Sequence, residues 1–576
     1  MRGRFILCGV LLTASATLAL LAHSSLGAQD APKPAAKDAF ASDPAKPKDA
    51  QPVAETPKNS EIDVVIKIDA MIEEKWKEKK LTPAKPASDS EWFRRVSIDT
   101  IGRAPSLDET TAFLANKSPS RRTETLKALL DSEEYAQNQG RLWRKALIGS
   151  SDEKKPGLYQ LEAWLADAAA SNMPYDKMTT ALIAATGEMD SLDPTDAAAV
   201  AYLTTFENEI NSIAGNVSRA FLGVEIQCAQ CHDHFFEHWK QADYQGFAAI
   251  FRTTRTTRAS NDPQNDRFRV FVIDDDEVEA PGPRRKKRME ERAKQDPKVK
   301  ERVDLMSHDP KTLDGPVLEG ETGLDLREKL AAWMTAKDNP FFARTAVNRV
   351  WAHYLKRGFA EPVDDFSTLN TPSNPELLAY LTKDFIESGY DLKRLTRIIL
   401  GTRAYQLSSV TSANNANDVL WYSRGYVRQL SAEELLGSFM AATQVEKTLE
   451  RAKLGEPQKI KRYLLRQFTT IFEDDEGKEL ESFTGTIPQA LVMMNGDFMS
   501  AATAANPGGT LLDVLKDYKT ADERVRALYL AAFSREPSAN ESRTFTKYIA
   551  DEGGVVAAYE DVFWALCNSA EFLNNH

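Results

Sequence analysis

Apolar residues recur at helical spacing along most of this chain. Val65, Ile68, Ile72 and Trp76 stand three and four positions apart, which places them on one helix face and starts the folded body near Ile62. From Glu91 to Phe251, Ala, Leu and aromatic residues keep that spacing, punctuated by Pro and Gly. The texture changes between Phe251 and Asp275. There Arg267-Phe-Arg-Val-Phe-Val-Ile273 follows an Asn-Asp-Pro turn and predicts a short strand, paired with the Thr-rich stretch before it. Residues 276 to about 320 are charged and Pro-bearing and read as a linker, and a second helical pattern runs from Leu324 to the end. The expected fold is mainly α. Two helical domains, 61–255 and 324–576, are joined across 256–323 by a short β element and a charged linker.

The start of the chain reads differently. Arg2 and Arg4 precede an apolar run from Phe5 to Ala22, and small residues follow at Ser25, Gly27 and Ala28. This is the layout of a cleavable secretory signal over 1–28, with an uncleaved anchor as the alternative. Residues 29–60 are rich in Ala, Pro, Lys and Asp and hold almost nothing to bury, so they are expected to be a disordered tether. The expected location is exported, in the periplasm or at the cell surface, with no integral membrane domain beyond that signal.

Charge narrows the partners. The formal net charge is −12, and loss of residues 1–28, which carry Arg2, Arg4 and no acid, leaves −14. General nucleic-acid binding is disfavoured. The run Arg284-Arg285-Lys286-Lys287-Arg288 meets Glu290 and Glu291 at once and reads as a solvated surface.

A sequence echo links the two ends. Arg103-Ala-Pro-Ser106-Leu-Asp-Glu109 recurs as Arg535-Glu-Pro-Ser538-Ala-Asn-Glu541, and each is followed four residues on by Phe113 or Phe545. Leu130-Asp-Ser-Glu-Glu-Tyr135 is echoed by Cys567-Asn-Ser-Ala-Glu-Phe572. Ser-x-x-Glu is a capping box, so the echo is either a reused helical hairpin or two ordinary capped helices. Neither implies catalysis.

The most specific chemistry lies at Cys228-Ala-Gln-Cys231-His232. C-x-x-C-H is the attachment spacing of c-type haem, with two thiols for two vinyl groups and a histidine for the iron. Of four cysteines, Cys8 falls in the signal, and three of seven histidines, His232, His234 and His238, lie within seven residues. In the haem reading His232 is the axial ligand, and the sixth position is empty or filled by His234, His238, His353 or a methionine. In a zinc reading Cys228, Cys231, His234 and His238 are the ligands, with an unusually short gap and His232 unexplained. In a third reading Cys228 and Cys231 form a disulfide.

These residues carry a resemblance. Ser218-Arg-Ala-Phe-Leu-Gly-Val-Glu-Ile-Gln-Cys-Ala-Gln-Cys-His-Asp-His234, continuing to His238-Trp239 and Tyr244, resembles the exported cytochrome-like domain of planctomycetes, the PSCyt type; Phe93-Arg-Arg-Val-Ser-Ile-Asp-Thr-Ile-Gly-Arg103-Ala-Pro105 is similar to its start. Asn339 to His353, Gly358 to Phe366, Ser388 to Leu395, Leu430 to Leu435 and Gln489 to Asn495 resemble its companion, the PSD domain. The resemblance covers most of 91–576. It implies an exported cytochrome-like architecture and supplies no reaction, since both domains are of unknown function. Phe235 stands where the pattern has proline after His234.

Three function classes follow. The first is a c-type haem protein in electron transfer or redox sensing, with a C-terminal scaffold and a redox or envelope protein as partner. The second is an envelope structural or interaction protein whose Cys/His cluster binds zinc or forms a disulfide. The third is a cell-surface hydrolase using Asp364, Asp365 and His353 or the run Glu473-Asp-Asp-Glu476. No G-x-S-x-G, H-E-x-x-H or phosphate-binding glycine loop supports catalysis, so whether the chain is an enzyme stays open, with the balance towards none.

Overall fold

A computed structural model describes residues 60–149, 157–190, 199–262, 267–273, 283–451, 464 and 497–576. The signal of 1–28, the tether up to residue 59, Glu473–Glu476 and Gln489–Asn495 lie outside the described residues. Helices dominate the rest, so the mainly α expectation holds. The first, α1 (Glu61–Glu78), begins where the periodicity starts, with the Ser60 hydroxyl accepting from the amide of Asp63. It buries Val64, Ile68, Ile72 and Trp76.

Next come α2 (Asp89–Ile101), α3 (Leu107–Ala115), α4 (Arg121–Leu130), α5 (Glu133–Ile148), α6 (Leu158–Ala170) and α7 (Tyr175–Ile183). The strand β1 (Gly187–Asp190) precedes α8 (Val200–Thr204) and α9 (Ile210–Leu222). A 3-10 turn, Ile226–Gln230, then leads to α10 (Gln241–Ala249). The predicted hairpin is present as β2 (Arg255–Asp262) and β3 (Arg267–Ile273), antiparallel with Thr256 opposite Val272. Pattern reading missed β1, which pairs with the other edge of β3 through Gly187–Val272. Four residues are too few to show an alternation.

The stretch read as a linker contains two helices among its described residues, α11 (Pro283–Ala293) and α12 (Pro297–Leu305). Charge hid them, because α12 buries only Arg302 and Leu305. The second half runs through α13 (Gly323–Met334), α14 (Phe342–Leu355), α15 (Pro375–Glu387) and α16 (Leu392–Gly401). After β4 (Arg428–Gln429) come α17 (Ala432–Thr443), α18 (Val445–Arg451), α19 (Asp497–Thr503), α20 (Thr510–Asp517) and α21 (Ala521–Phe533). The chain closes with α22 (Ala539–Asp551), α23 (Val556–Cys567), α24 (Ala570–Leu573) and β5 (Asn574–Asn575), which pairs with β4. No described helix is long and apolar enough to cross a membrane.

The core does not divide at 256–323. One apolar cluster runs from Val64 to Tyr422 and takes in α13 to α16. A second joins Leu430 to Phe572 with Ile98 of α2, Ala104 of the turn after it and Leu107 at the start of α3, and a small third holds Ile101, Leu130 and Tyr135. Helix α2 therefore feeds both cores. It is buried on every side, with Arg94, Arg95 and Asp99 enclosed among Trp92, Phe93, Val96 and Ile98.

The sequence echo is reproduced atom by atom. Arg103 grips Glu109 through Nη1 and Nη2 at 2.8 and 2.9 Å, and Glu134 through Nε and Nη2 at 2.7 and 2.8 Å. Arg535 grips Glu541 and Glu571 through the same atoms at 2.6–3.0 Å. Ser106 and Ser538 both close capping boxes. The helices before them, α2 and α21, end on left-handed residues, Gly102 and Ser534. Two bidentate carboxylates on one guanidinium fix the angle between the helices that supply them. The unit is a reused helical clasp, used once at each end of the fold.

Candidate functional site

The Cys-His loop hangs from the end of α9. Gly223 ends that helix at φ +64°, a left-handed turn that favours glycine, and its carbonyl accepts from the amide of Phe366 at 3.0 Å. Ile226 and Ala229 are buried in the following turn and act as its anchors. Cys228 and Cys231 project from it as free, exposed thiols. The loop beyond is closed at its base: the amide of His234 donates to the carbonyl of Trp239 at 2.8 Å, and buried Trp239 plugs it into the core. No proline is needed after His234 for this closure.

The three histidines of the loop have different duties. The Nδ1 of His232 lies 2.7 Å from the carbonyl of Asp233. A carbonyl only accepts, so Nδ1 carries the proton and the neutral ring keeps its Nε2 lone pair free. This is the tautomer that a metal-ligating histidine has when its other nitrogen is fixed by backbone. In His234, Nδ1 accepts from the amides of Phe236 and Glu237 at 3.2 and 3.0 Å, so in the neutral ring the proton sits on Nε2. His238 turns Nε2 to both carboxylate oxygens of Asp314 at 3.0 and 2.9 Å.

The tetrahedral zinc set of the second reading is accordingly not assembled. Cys228, Cys231, His234 and His238 share the loop, but each of the two imidazoles is bonded elsewhere. Among the described residues no group of three or more His, Cys, Asp or Glu side chains is placed to share a metal ion.

Whether the loop suits a porphyrin is tested by its surroundings. Phe235 is 78% exposed and Phe236 72%, and the Phe235 ring lies 4.5 Å from that of His232. Leu369 (72%) and Val317 (53%) are also exposed. Glu237 ties the first of them close, accepting from the amide and hydroxyl of Thr368 at 2.8 and 2.5 Å. The His238–Asp314 contact brings the segment with Val317 alongside. Partial burial opposes ionisation of Glu237, but the Thr368 bonds prevail and hold its carboxyl below the ordinary value. Two free thiols, one imidazole with an open nitrogen, and an exposed apolar apron on a loop fixed at its base: these residues fit a covalently held haem.

The hydrolase candidates have other partners. Asp364 pairs with Arg219. Asp365 accepts from the amide of Ser367 at 3.0 Å and from Asn370. His353 donates from Nε2 to the carbonyl of Asp99 at 2.8 Å, and burial disfavours its charged form. Glu473–Glu476 lie outside the described residues.

The comparisons with known proteins bear on both halves. Residues 67–256, which include the Cys-His loop, match the family model PSCyt2, described as a protein of unknown function (DUF1549). Residues 326–549 match PSD1, described as a protein of unknown function (DUF1553). The chain joins a PSCyt2 match to a PSD1 match. No curated protein and no solved structure matches it. The two matched regions share contacts at the loop itself, since Thr368, Phe366 and Asp364 belong to the PSD1 region while Glu237, Gly223 and Arg219 belong to the PSCyt2 region.

A second polar cluster, which sequence reading missed, joins these regions at α2. Asp99 has no exposed surface and contacts Lys356, the hydroxyl of Tyr405 at 2.9 Å, Asn575 at 2.7 Å and Arg428 at 3.4 Å. Arg428 in turn grips Glu434 at 2.5 and 2.6 Å. Burial pulls the Lys356 ammonium down to about 8. Although burial opposes it, the Arg428 guanidinium holds Glu434 at about 2, and Arg103 does the same for Glu109, also about 2. The signal available was a helix with no polar face: charges within Phe93–Gly102 have no solvated side to occupy.

These depressed carboxyls predict acid sensitivity. Below the ordinary value of 4.5 the unfolded chain binds protons that the folded pairs refuse. The stability from Glu434 and Glu109 is therefore complete above that value and drains as pH falls towards about 2. Urea midpoints should fall clearly between about pH 6 and about pH 3. Equal midpoints would show that the two ion pairs do not stabilise the fold.

Proposed function

We propose that the Cys-His loop is the attachment site of a c-type haem, in an exported protein serving electron transfer or redox sensing, with the C-terminal helices as its scaffold. The observation that carries this reading is the His232 ring. Its Nδ1 proton is engaged by the carbonyl of Asp233, and its Nε2 is left open on the loop that carries two exposed thiols. The Cys228 and Cys231 thiols would each add S–H across a vinyl group, with no oxidant required. His232 would offer Nε2 to the iron, and Phe235 and Phe236 would keep water from the ring. The bound group supplies one-electron chemistry at iron. The apolar start at 1–28 supports export, the route on which such thioethers are made.

The test uses the chain exported from a host with haem-c maturation machinery. A pyridine haemochrome spectrum and a haem-stained denaturing gel should show one covalent haem, absent from Cys228→Ala/Cys231→Ala. A colourless product alongside a coloured control would overturn the reading. Thiol counting would then separate a Cys228–Cys231 disulfide from free thiols, and the structural role would lead.

A further inference from the structure

We propose that the face carrying the Cys-His loop is a docking surface for a positively charged protein, with an apolar centre and an acidic rim. The centre is Phe235, Phe236, Leu369 and Val317, each more than half exposed. These residues lie on three chain segments held together by the Glu237–Thr368 and His238–Asp314 bonds. A third tie, from the amide of Lys311 to the carbonyl of Gly246 at 2.9 Å, fixes the middle segment to α10. Four large exposed apolar side chains on segments tied together in this way are of the kind that marks an interface.

The rim decides the partner. Residues 225–240, 309–321 and 361–370 carry ten carboxylates, from Glu225 to Asp365, against two lysines, Lys240 and Lys311. The whole chain has a net charge of only −12, so much of that excess is concentrated here. Local cations cancel only part of it: Arg219 from α9 neutralises Asp364, while Lys311 is taken up at 3.1 Å by Asp243, which lies outside the counted segments. Crowding is visible at Glu225, whose carboxyl is raised by burial and then by Asp365 and Asp364. Such a field attracts a lysine-rich face, steers its approach and repels acidic proteins, while the apolar centre supplies the contact. A haem on the loop would make that partner a redox protein, but the charge pattern stands without it.

Binding is the test, so it does not depend on the haem assay. The full exported chain is immobilised and titrated with mitochondrial cytochrome c, a small basic protein, at low and at raised salt. Binding is expected at low salt and should weaken as salt rises. The triple variant Asp309→Lys/Glu319→Lys/Glu321→Lys, which touches neither thiols nor histidines, should weaken it by about tenfold or more. Reversal at exposed Asp517 and Glu552, near the other core, should leave it unchanged. No binding at low salt, a rim variant that binds like the parent, or equal loss from the distant reversal would each overturn the proposal. Circular dichroism and the urea midpoint of the triple variant establish that it is folded when it is scored.

Discussion

Asp99→Ala is expected to lower the unfolding free energy by about 3–5 kcal/mol, the usual cost of removing one partner from a buried ion pair. The reason is what remains. Lys356 has a side-chain exposure of 5%, and its ammonium, already pulled down to about 8 by burial, would lose the carboxylate that keeps it charged beside Arg428. Tyr405 and Asn575 would lose their acceptor in the same step, each at about 1–3 kcal/mol if left unsatisfied. Urea unfolding measures the loss. Asp99→Ala/Lys356→Met should recover part of it, because no buried amine is then left without its partner and the two changes do not add. A loss under about 1 kcal/mol in the single variant would mean that water reaches the cluster and screens it.

How much of this was legible beforehand depended on locality. The start of α1, the β2–β3 hairpin and the capping boxes at Ser106 and Ser538 could be read, because each is coded by residues within a few positions; the reach of Arg103 to Glu134 and of Arg535 to Glu571 could not. The Cys228, Cys231 and His232 grouping was legible for the same reason. The partition of the core was not. Arg94, Arg95 and Asp99 look in sequence like the polar positions of an ordinary helix, and their partners lie hundreds of residues away at Ala532, Phe572, Tyr405, Leu407 and Lys356. Local spacing carries no information on which side of a helix a distant segment will cover. Nor could it divide the duties of His232, His234 and His238, since those follow from which backbone groups the loop turns towards each ring.

The shared core also bears on why the two matched regions occur in one chain. The Cys-His loop hangs from α9, and the segment that clasps it, Asp364 to Thr368, follows α14. Helix α14 carries Arg349, which donates to the carbonyl of Ala220 on α9 at 2.7 Å. The PSD1 region therefore positions the PSCyt2 loop directly.

Removal of the last eight residues, Ser569–His576, is expected to abolish cooperative folding of the whole chain. This segment looks dispensable by its position, but buried charges end on it. Arg94 donates to the carbonyl of Phe572 at 3.1 Å, Arg95 to that of His576 at 3.1 Å, and Asn575 donates to Asp99 at 2.7 Å. Glu571 is half of the Arg535 clasp, and the carbonyl of Leu573 accepts from the amide of Leu430 at 2.9 Å. The Phe572 ring is fully buried in the second core, and its deletion alone should cost about 3–5 kcal/mol. Because α2 joins both cores, the damage should reach the Cys-His loop as well. Soluble yield, near-ultraviolet circular dichroism and the sharpness of urea unfolding read the loss, and Phe572→Ala provides a milder variant where the truncated chain cannot be recovered. A truncated chain that unfolds with the parental midpoint would show that α2 is not held from the C-terminal side, and that the two cores are stable independently.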